Sequence, residues 1–173
     1  MPYAVTLCFD PDSARTIDTW WNALLVAGID DDCRIVGYAP HITLAIYPND
    51  TPMQTLIEAM DHLAPLWTSL PVALSGFGVF PGLTSVLFAA PIASPSLLAR
   101  QAQWLTAVPD LPIHQHYRTG HWVPHVTLTA PLRMPDRALS TLLPLWCSVE
   151  GRLDRVDLVR FRPVEILRSH PLL

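Results

Sequence analysis

The sequence predicts an α+β fold built from two halves of similar order. Two repeated peptides favour this fold. PHITL at 40–44 returns as PHVTL at 124–128 with only an Ile/Val exchange, and PLW at 65–67 returns at 144–146. No Gly/Ser-rich or charged tract separates the halves. We therefore expect one bilobal domain over residues 1–173, in which the two lobes interleave and share a core.

The first half alternates strands and helices. Residues 3–9 predict a strand, and Asp10-Pro11 supplies an N-cap and a first-turn proline for a helix to about residue 27. Segment 28–39 is acidic and irregular. The polarity of residues 41–47 alternates and predicts a strand. Thr51-Pro52 then caps a second helix, which we expect to run to about residue 66.

The next segment begins with two strands, predicted over 72–80 and 85–90 and joined by a Pro81-Gly82 turn. Ser94-Pro95 caps a third helix to about residue 108. A polar loop over 109–121 then leads to the second pentapeptide.

The C-terminal part repeats the order of helix and strand. The second pentapeptide predicts a strand, and Pro135 opens a helix to about residue 146. Three short strands are predicted to close the chain, over 148–153, 155–162 and 164–167.

The composition favours a soluble protein that acts on small ligands. Half of the 173 residues are hydrophobic, but no apolar run approaches the roughly 18 residues of a membrane span. The N-terminus shows no secretory signal, so we expect a cytoplasmic protein without membrane contact. We also expect a monomer. Net charge is −4, and all 11 basic residues are Arg. This charge is unfavourable for long nucleic acids, whose binding depends on many basic groups.

Cysteine usage predicts neither a disulfide framework nor a metal site. The three cysteines are scattered without metal-ligand spacing. Three histidines of the polar loop, His114, His116 and His121, have no carboxylate or thiol partner at ligand spacing. We therefore expect no metal and no cofactor.

The repeated pentapeptide places two kinds of side chain on opposite faces of a strand. His41 and Thr43 share one face, and Ile42 and Leu44 share the other. In the second copy, His125 and Thr127 share one face, and Val126 and Leu128 share the other. If a pseudo-twofold axis relates the halves, the two polar faces meet across one cleft, which then holds two imidazoles and two hydroxyls.

That set of groups suits phosphodiester chemistry. Displacement at phosphorus needs a proton removed from the nucleophile and another delivered to the leaving oxygen. Two histidines, here His41 and His125, can divide that task, since their usual pKa of about 6.5 makes both protonation states accessible. The hydroxyls of Thr43 and Thr127 can donate to the non-bridging oxygens.

Paired H-x-T-L motifs on strands of a duplicated α/β chain resemble the 2H phosphoesterase superfamily, which includes 2′-5′ RNA ligase-like proteins and cyclic phosphodiesterases. The resemblance covers essentially the whole chain. It implies two antiparallel β-sheets facing a central cleft with helices packed outside, and metal-independent hydrolysis of 2′,3′-cyclic phosphates. It also implies catalytic roles for the two His-x-Thr pairs, at residues 41, 43, 125 and 127.

The predicted substrate depends on one difference from the family pattern and on the residues near the two motifs. The RNA ligase-like branch often carries an Arg shortly after its second motif, whereas Thr129-Ala130-Pro131 stands here. We therefore favour small cyclic nucleotides or short RNA with a cyclic phosphate end. The candidate substrate-binding residues are aromatic groups that could stack on a base, and arginines that could reach a phosphate: Tyr38, Tyr117, Trp122, Arg118, and Arg160 or Arg162 on one predicted strand face.

Alternative interpretations stay open. Tyr38, Tyr117 and Trp122 are equally compatible with core packing, and the C-terminal arginines with a solvated sheet face. A binding module would use the same cleft to sense a nucleotide or phosphometabolite without turnover. A reversible 2′-5′ RNA ligase is a further alternative. A metallohydrolase using the loop histidines is the least favoured alternative, and the sequence does not distinguish the acid from the base.

Overall fold

The computed structural model describes residues 1–29, 33 and 36–173 of the chain. The acidic residues 30–32, part of the predicted irregular segment, lie outside the described residues. The strands are β1 (Tyr3–Phe9), β2 (His41–Tyr47), β3 (Leu70–Phe80), β4 (Val86–Pro91), β5 (Val126–Thr129), β6 (Val149–Arg160) and β7 (Glu165–Pro171). The α-helices include α1 (Pro11–Val26), α2 (Met53–Leu63), α3 (Pro95–Ala107) and α4 (Pro135–Leu142).

The strands form one hydrogen-bonded antiparallel sheet in the order β2-β1-β6-β3-β4-β5, with β7 also paired to β6. The predicted α+β class, with antiparallel strands and helices, is confirmed. The expected two separate sheets are joined in the structure, because β6 belongs to both groups of strands. Its first part pairs with β3, and its second part lies between β1 and β7.

Strand β6 replaces two predicted strands, 148–153 and 155–162. The break that we expected near residue 154 is wrong, because the chain stays extended while its neighbour changes from β3 to β1. Strand β6 ends at Arg160, and residues 161–164 form a turn before β7. Arg162 therefore does not continue the strand face that Arg160 occupies.

Local signals explain where most helices begin and end. The Asp10 carboxylate accepts hydrogen bonds from the backbone N–H groups of Asp12 and Ser13, at 3.0 and 3.1 Å, as an N-cap should. Thr51 provides no such cap for α2. Helices α2 and α4 end earlier than predicted and continue as short 3₁₀ turns, Ala64–Leu66 and Leu143–Leu145. Each turn contains a proline, which lacks the N–H that an α-helix needs.

The main core lies between the sheet and the helices, where Trp20 of α1 and Trp104 of α3 are almost fully buried. A second, smaller cluster includes Ala4, Cys8, Tyr38 and Val159. Every residue of β1 is buried, so both of its faces are covered. No helix in the described part of the chain is both long and apolar enough to cross a membrane.

Candidate active site

The two pentapeptides meet at one cavity of about 260 Å³. His41 and Thr43 line it from β2, while Thr127 lines it from β5 and His125 from the position just before β5. These strands are the two ends of the sheet order, yet residues of β2 and β5 lie close together. The sheet therefore curves so that its end strands face each other across the cavity.

Burial of the intervening apolar residues fixes which side chains reach the cavity. Ile42 and Leu44 have no exposed surface, and Val126 and Leu128 are 1% exposed. Because side chains alternate along an extended chain, each His and Thr is turned to the opposite side. All four of these polar residues are partly exposed.

The two imidazoles are held by the same local contact. Nδ1 of His41 lies 2.8 Å from the carbonyl oxygen of Ala39, and Nδ1 of His125 lies 2.8 Å from that of Val123. A carbonyl oxygen can only accept, so Nδ1 carries a proton in both rings. In the neutral ring Nε2 is then an acceptor, and in the charged ring it is a donor. Each ring can thus take or give a proton at Nε2.

Burial lowers the pKa of both histidines from the ordinary value of 6.5. For His41 the nearby His125 lowers the pKa further, whereas the Ala39 carbonyl and the Asp157 carboxylate oppose the shift. For His125 the Val123 carbonyl opposes the effect of burial, and His116 lowers the pKa further. The neutral form of each ring is favoured in the free protein.

The environments behind the two rings differ. The His41 ring lies 4.8 Å from the Tyr38 ring, whose hydroxyl donates to the buried Asp157 carboxylate at 2.8 Å. Asp157 also accepts from Arg155 Nε at 3.1 Å and from the Ser169 hydroxyl at 2.6 Å. His41 therefore rests on a polar network that fixes the Tyr38 ring.

His125 rests on hydrocarbon instead. Its ring centroid lies 4.9 Å from that of Phe80 and 5.7 Å from that of Phe88, in edge-to-face geometry. Phe80 and Phe88 stack on each other at 4.2 Å. The second imidazole is therefore oriented by an aromatic pair.

The candidate substrate-binding residues fall into two groups. Tyr38 and Tyr117 line the cavity together with Thr43. Burial raises the pKa of Tyr117 to about 12, so its hydroxyl stays protonated. Trp122, Arg118 and Arg160 lie outside the cavity lining, and Arg160 is paired with Glu165.

Other residues line the cavity that the sequence pattern did not select. They include Trp21, Cys33, Phe161, Val164 and Arg162. Arg162 was considered only as an alternative to Arg160 on a shared strand face. Its access to the cavity instead comes from the turn that follows β6. Hydrophobic periodicity gives no signal for such a long-range approach.

The loop histidines do not form a metal site with other ligands in the described part of the chain. His114 and His116 lie with their ring centroids 4.8 Å apart. Among the described residues, no group of three or more His, Cys, Asp or Glu side chains is placed to hold a metal ion.

Comparison with known families shows to which protein family the chain belongs. Residues 39–165, well over half of the chain, match the sequence model of the 2′-5′ RNA ligase superfamily. The chain belongs to this superfamily. The matched range contains both H-x-T-L motifs, and the family predicted from those motifs is confirmed.

Solved structures share the fold of this superfamily member at low sequence identity. TT0787 of Thermus thermophilus is 17% identical, with a TM-score of 0.68 over 99% of this chain and 98% of that one. Usb1 of Kluyveromyces marxianus is 17% identical with a TM-score of 0.55 over the same shares. Its structure with uridine monophosphate is 16% identical, with a TM-score of 0.55 and again the same shares. Comparison with curated protein sequences gave no match.

Proposed function

We propose that this protein hydrolyses 2′,3′-cyclic phosphates of nucleotides or of short RNA ends, using His41 and His125 as an acid and base pair. One observation carries the proposal: two imidazoles, each protonated at Nδ1 by its contact with a backbone carbonyl, line the same cavity. Two groups that can each exchange a proton at Nε2 are what in-line displacement requires.

The reaction balances with these groups alone. The neutral imidazole takes a proton from water as the water oxygen bonds to phosphorus. The charged imidazole gives its proton to the ribose oxygen as the bond between that oxygen and phosphorus breaks. The two rings have then exchanged protonation states, and proton exchange with solvent restores them.

The threonines supply the second element of catalysis. The hydroxyls of Thr43 and Thr127 can donate to the non-bridging oxygens, where negative charge increases in the transition state. Tyr117 lines the same cavity beside these groups. Arg162, in the same lining, supplies a positive charge for the phosphate.

The cavity fits a small ligand. The cavity volume of about 260 Å³ favours a small ligand, and the rings of Trp21, Tyr38 and Phe161 supply apolar surface for a base. The structural neighbour Usb1 has been solved with uridine monophosphate. These observations support a cyclic mononucleotide or the terminal nucleotide of a short RNA as the substrate.

RNA ligation is the second candidate, favoured by the family match. In that reaction a ribose hydroxyl of a second RNA replaces water, and the same two histidines exchange protons in the same order. Hydrolysis is preferred because water is far more concentrated in solution than any RNA end.

A substrate panel tests the proposal. Wild-type protein is incubated with 2′,3′-cyclic mononucleotides, ADP-ribose cyclic phosphate and short RNAs with cyclic ends, with and without EDTA. We expect ring opening to a single phosphomonoester isomer at the same rate under both conditions. Activity lost with EDTA and restored by a divalent ion would contradict the mechanism, and turnover of none of these substrates would contradict the function.

A further inference from the structure

Two tryptophans connect the halves through the backbone of the motif threonines. Nε1 of Trp122 donates to the carbonyl oxygen of Thr43 at 3.0 Å, and Nε1 of Trp21 donates to that of Thr127 at 3.0 Å. Trp122 belongs to the second half and Trp21 to the first. Each indole therefore bonds to the motif of the other half.

Sheet topology explains why these carbonyls accept from side chains. In the described part of the chain, β2 pairs only with β1, and β5 pairs only with β4. An edge strand directs part of its carbonyl groups away from its neighbour, where they lack a partner strand. A carbonyl left unpaired inside the protein is costly, so an indole N–H is a favourable partner there.

The bond from Trp122 leads directly to the opposite imidazole. Trp122 is followed by Val123, whose carbonyl accepts from Nδ1 of His125. The backbone of Thr43 is thus connected to the His125 ring through two hydrogen bonds and the peptide bond between Trp122 and Val123. A shift of the Trp122 backbone would therefore move the adjacent Val123 carbonyl that orients His125.

Trp21 makes the reciprocal connection. It lies on α1, which begins directly after β1, and β1 carries Cys8 opposite His41. Its indole fixes the carbonyl of Thr127, two residues from His125. The ring of Trp21 is 5% exposed and also lines the cavity. The two connections therefore join the motif strands on both sides of the cavity.

We propose that Trp21 and Trp122 are positioning residues that set the separation of His41 and His125 across the cavity. This inference rests on the proposed function, because the separation matters when both rings act on one phosphate. Catalytic groups must be held within about 0.5 Å of the productive geometry. Two curved sheet ends without a mutual ladder cannot supply that accuracy by strand pairing.

Trp122→Phe tests the proposal, since it keeps an aromatic ring and removes the N–H donor. We expect kcat to fall about ten- to a hundredfold, as a small misplacement of catalytic groups does, with KM changed by less than roughly threefold. Trp104→Phe is the matched control. Its Nε1 donates to the Tyr47 hydroxyl at 2.8 Å, and neither residue lines the cavity. The control should lose thermal stability and keep its kcat.

The outcomes separate this inference from the proposed function. If Trp122→Phe keeps the kcat of Trp104→Phe, the inference is wrong while the function stands. If wild-type protein turns over no substrate, the inference is tested by comparing crystal structures of Trp122→Phe and of the wild-type protein. An Nε2 to Nε2 separation of His41 and His125 that changes by more than about 0.5 Å supports the inference, and an unchanged separation overturns it. Trp21→Phe replaces Trp122→Phe in both tests if the latter does not fold.

Discussion

Gly78 and Phe88 are directly opposed residues of β3 and β4, and the Phe88 ring lies against the Gly78 backbone. A Cβ atom on Gly78 would lie 2.4 Å from Cζ of Phe88. Since Phe88 packs against the His125 ring, the missing side chain at Gly78 makes room for the support of a proposed catalytic group.

Gly78→Ala should therefore damage activity as well as stability. The Phe88 ring must move, which we expect to destabilise the protein by about 1–3 kcal/mol and to lower kcat by roughly tenfold. Urea unfolding and steady-state kinetics measure the two effects. Gly76→Ala on the same strand is the control, because a Cβ there meets nothing within 4 Å. Equal kcat values for the two variants would show that Phe88 does not orient His125.

The pH dependence of kcat/KM should reflect two lowered pKa values. The base must be neutral and the acid charged, so activity rises through the first pKa and falls through the second. Burial lowers the pKa of both His41 and His125 from 6.5. We expect an optimum below pH 6.5 and a decline towards pH 8. A kcat/KM that still rises above pH 7 would contradict this assignment.

Substitution of His116 should shift the limb of that pH profile that belongs to His125. Its charge lowers the pKa of His125. His116→Gln removes this interaction, so the pKa of His125 and the limb that belongs to it should move to higher pH. The limb of His41 should move less and in the opposite direction, because His125 lowers the pKa of His41. His121→Gln, in the same loop, is the control. The shifted limb also identifies whether His125 acts as the acid or as the base.

A sulfur leaving group should assign the roles independently. In 2′,3′-cyclic phosphates with sulfur at the leaving position, the departing thiolate needs no proton. Removal of the general acid, by His41→Ala or His125→Ala, should then lower kcat much less than with an oxygen leaving group. With oxygen, the expected decrease in kcat is roughly 10² to 10⁴-fold. Analogues with sulfur at the 2′ or the 3′ position are assayed with both variants. Rescue of both variants, or of neither, would exclude a single dedicated acid.

Arg162→Ala should weaken substrate binding. Arg162 lines the cavity, and a hydrogen bond to a charged group is worth about 1.5–3 kcal/mol. We expect KM to rise by about tenfold or more with kcat little changed. Arg118→Ala, outside the cavity lining, should leave both constants unchanged. A larger effect of Arg118→Ala than of Arg162→Ala would place the phosphate on the other side of the cavity.

Local patterns predicted much of this molecule. The alternation of polar and apolar residues around His41 and His125 indicated which side chains face the core and which face the cavity, because the apolar neighbours must enter the core. Asp10 marked the first helix, since a carboxylate before Pro11 satisfies free N–H groups. The repeated motif indicated that two distant segments share one site.

Long-range contacts were beyond the sequence pattern. The continuity of β6 depends on a change of neighbouring strand, which leaves no mark in the alternation of its own residues. Trp122 was a candidate for base stacking or core packing, and neither interpretation included the bond from its indole to the Thr43 carbonyl. The approach of Arg162 to the cavity depends on a turn, and turns do not reveal which distant residues they face.

The loss of activity in His41→Ala and His125→Ala tests the central claim most directly. With the best cyclic phosphate, kcat should fall by at least about a hundredfold in each variant. Because the two rings act as one unit, the double variant should be about as slow as either single one. His62→Ala, on α2, serves as the control. If either single variant keeps wild-type kcat, or if the two losses multiply in the double variant, the rings do not act together on one phosphate.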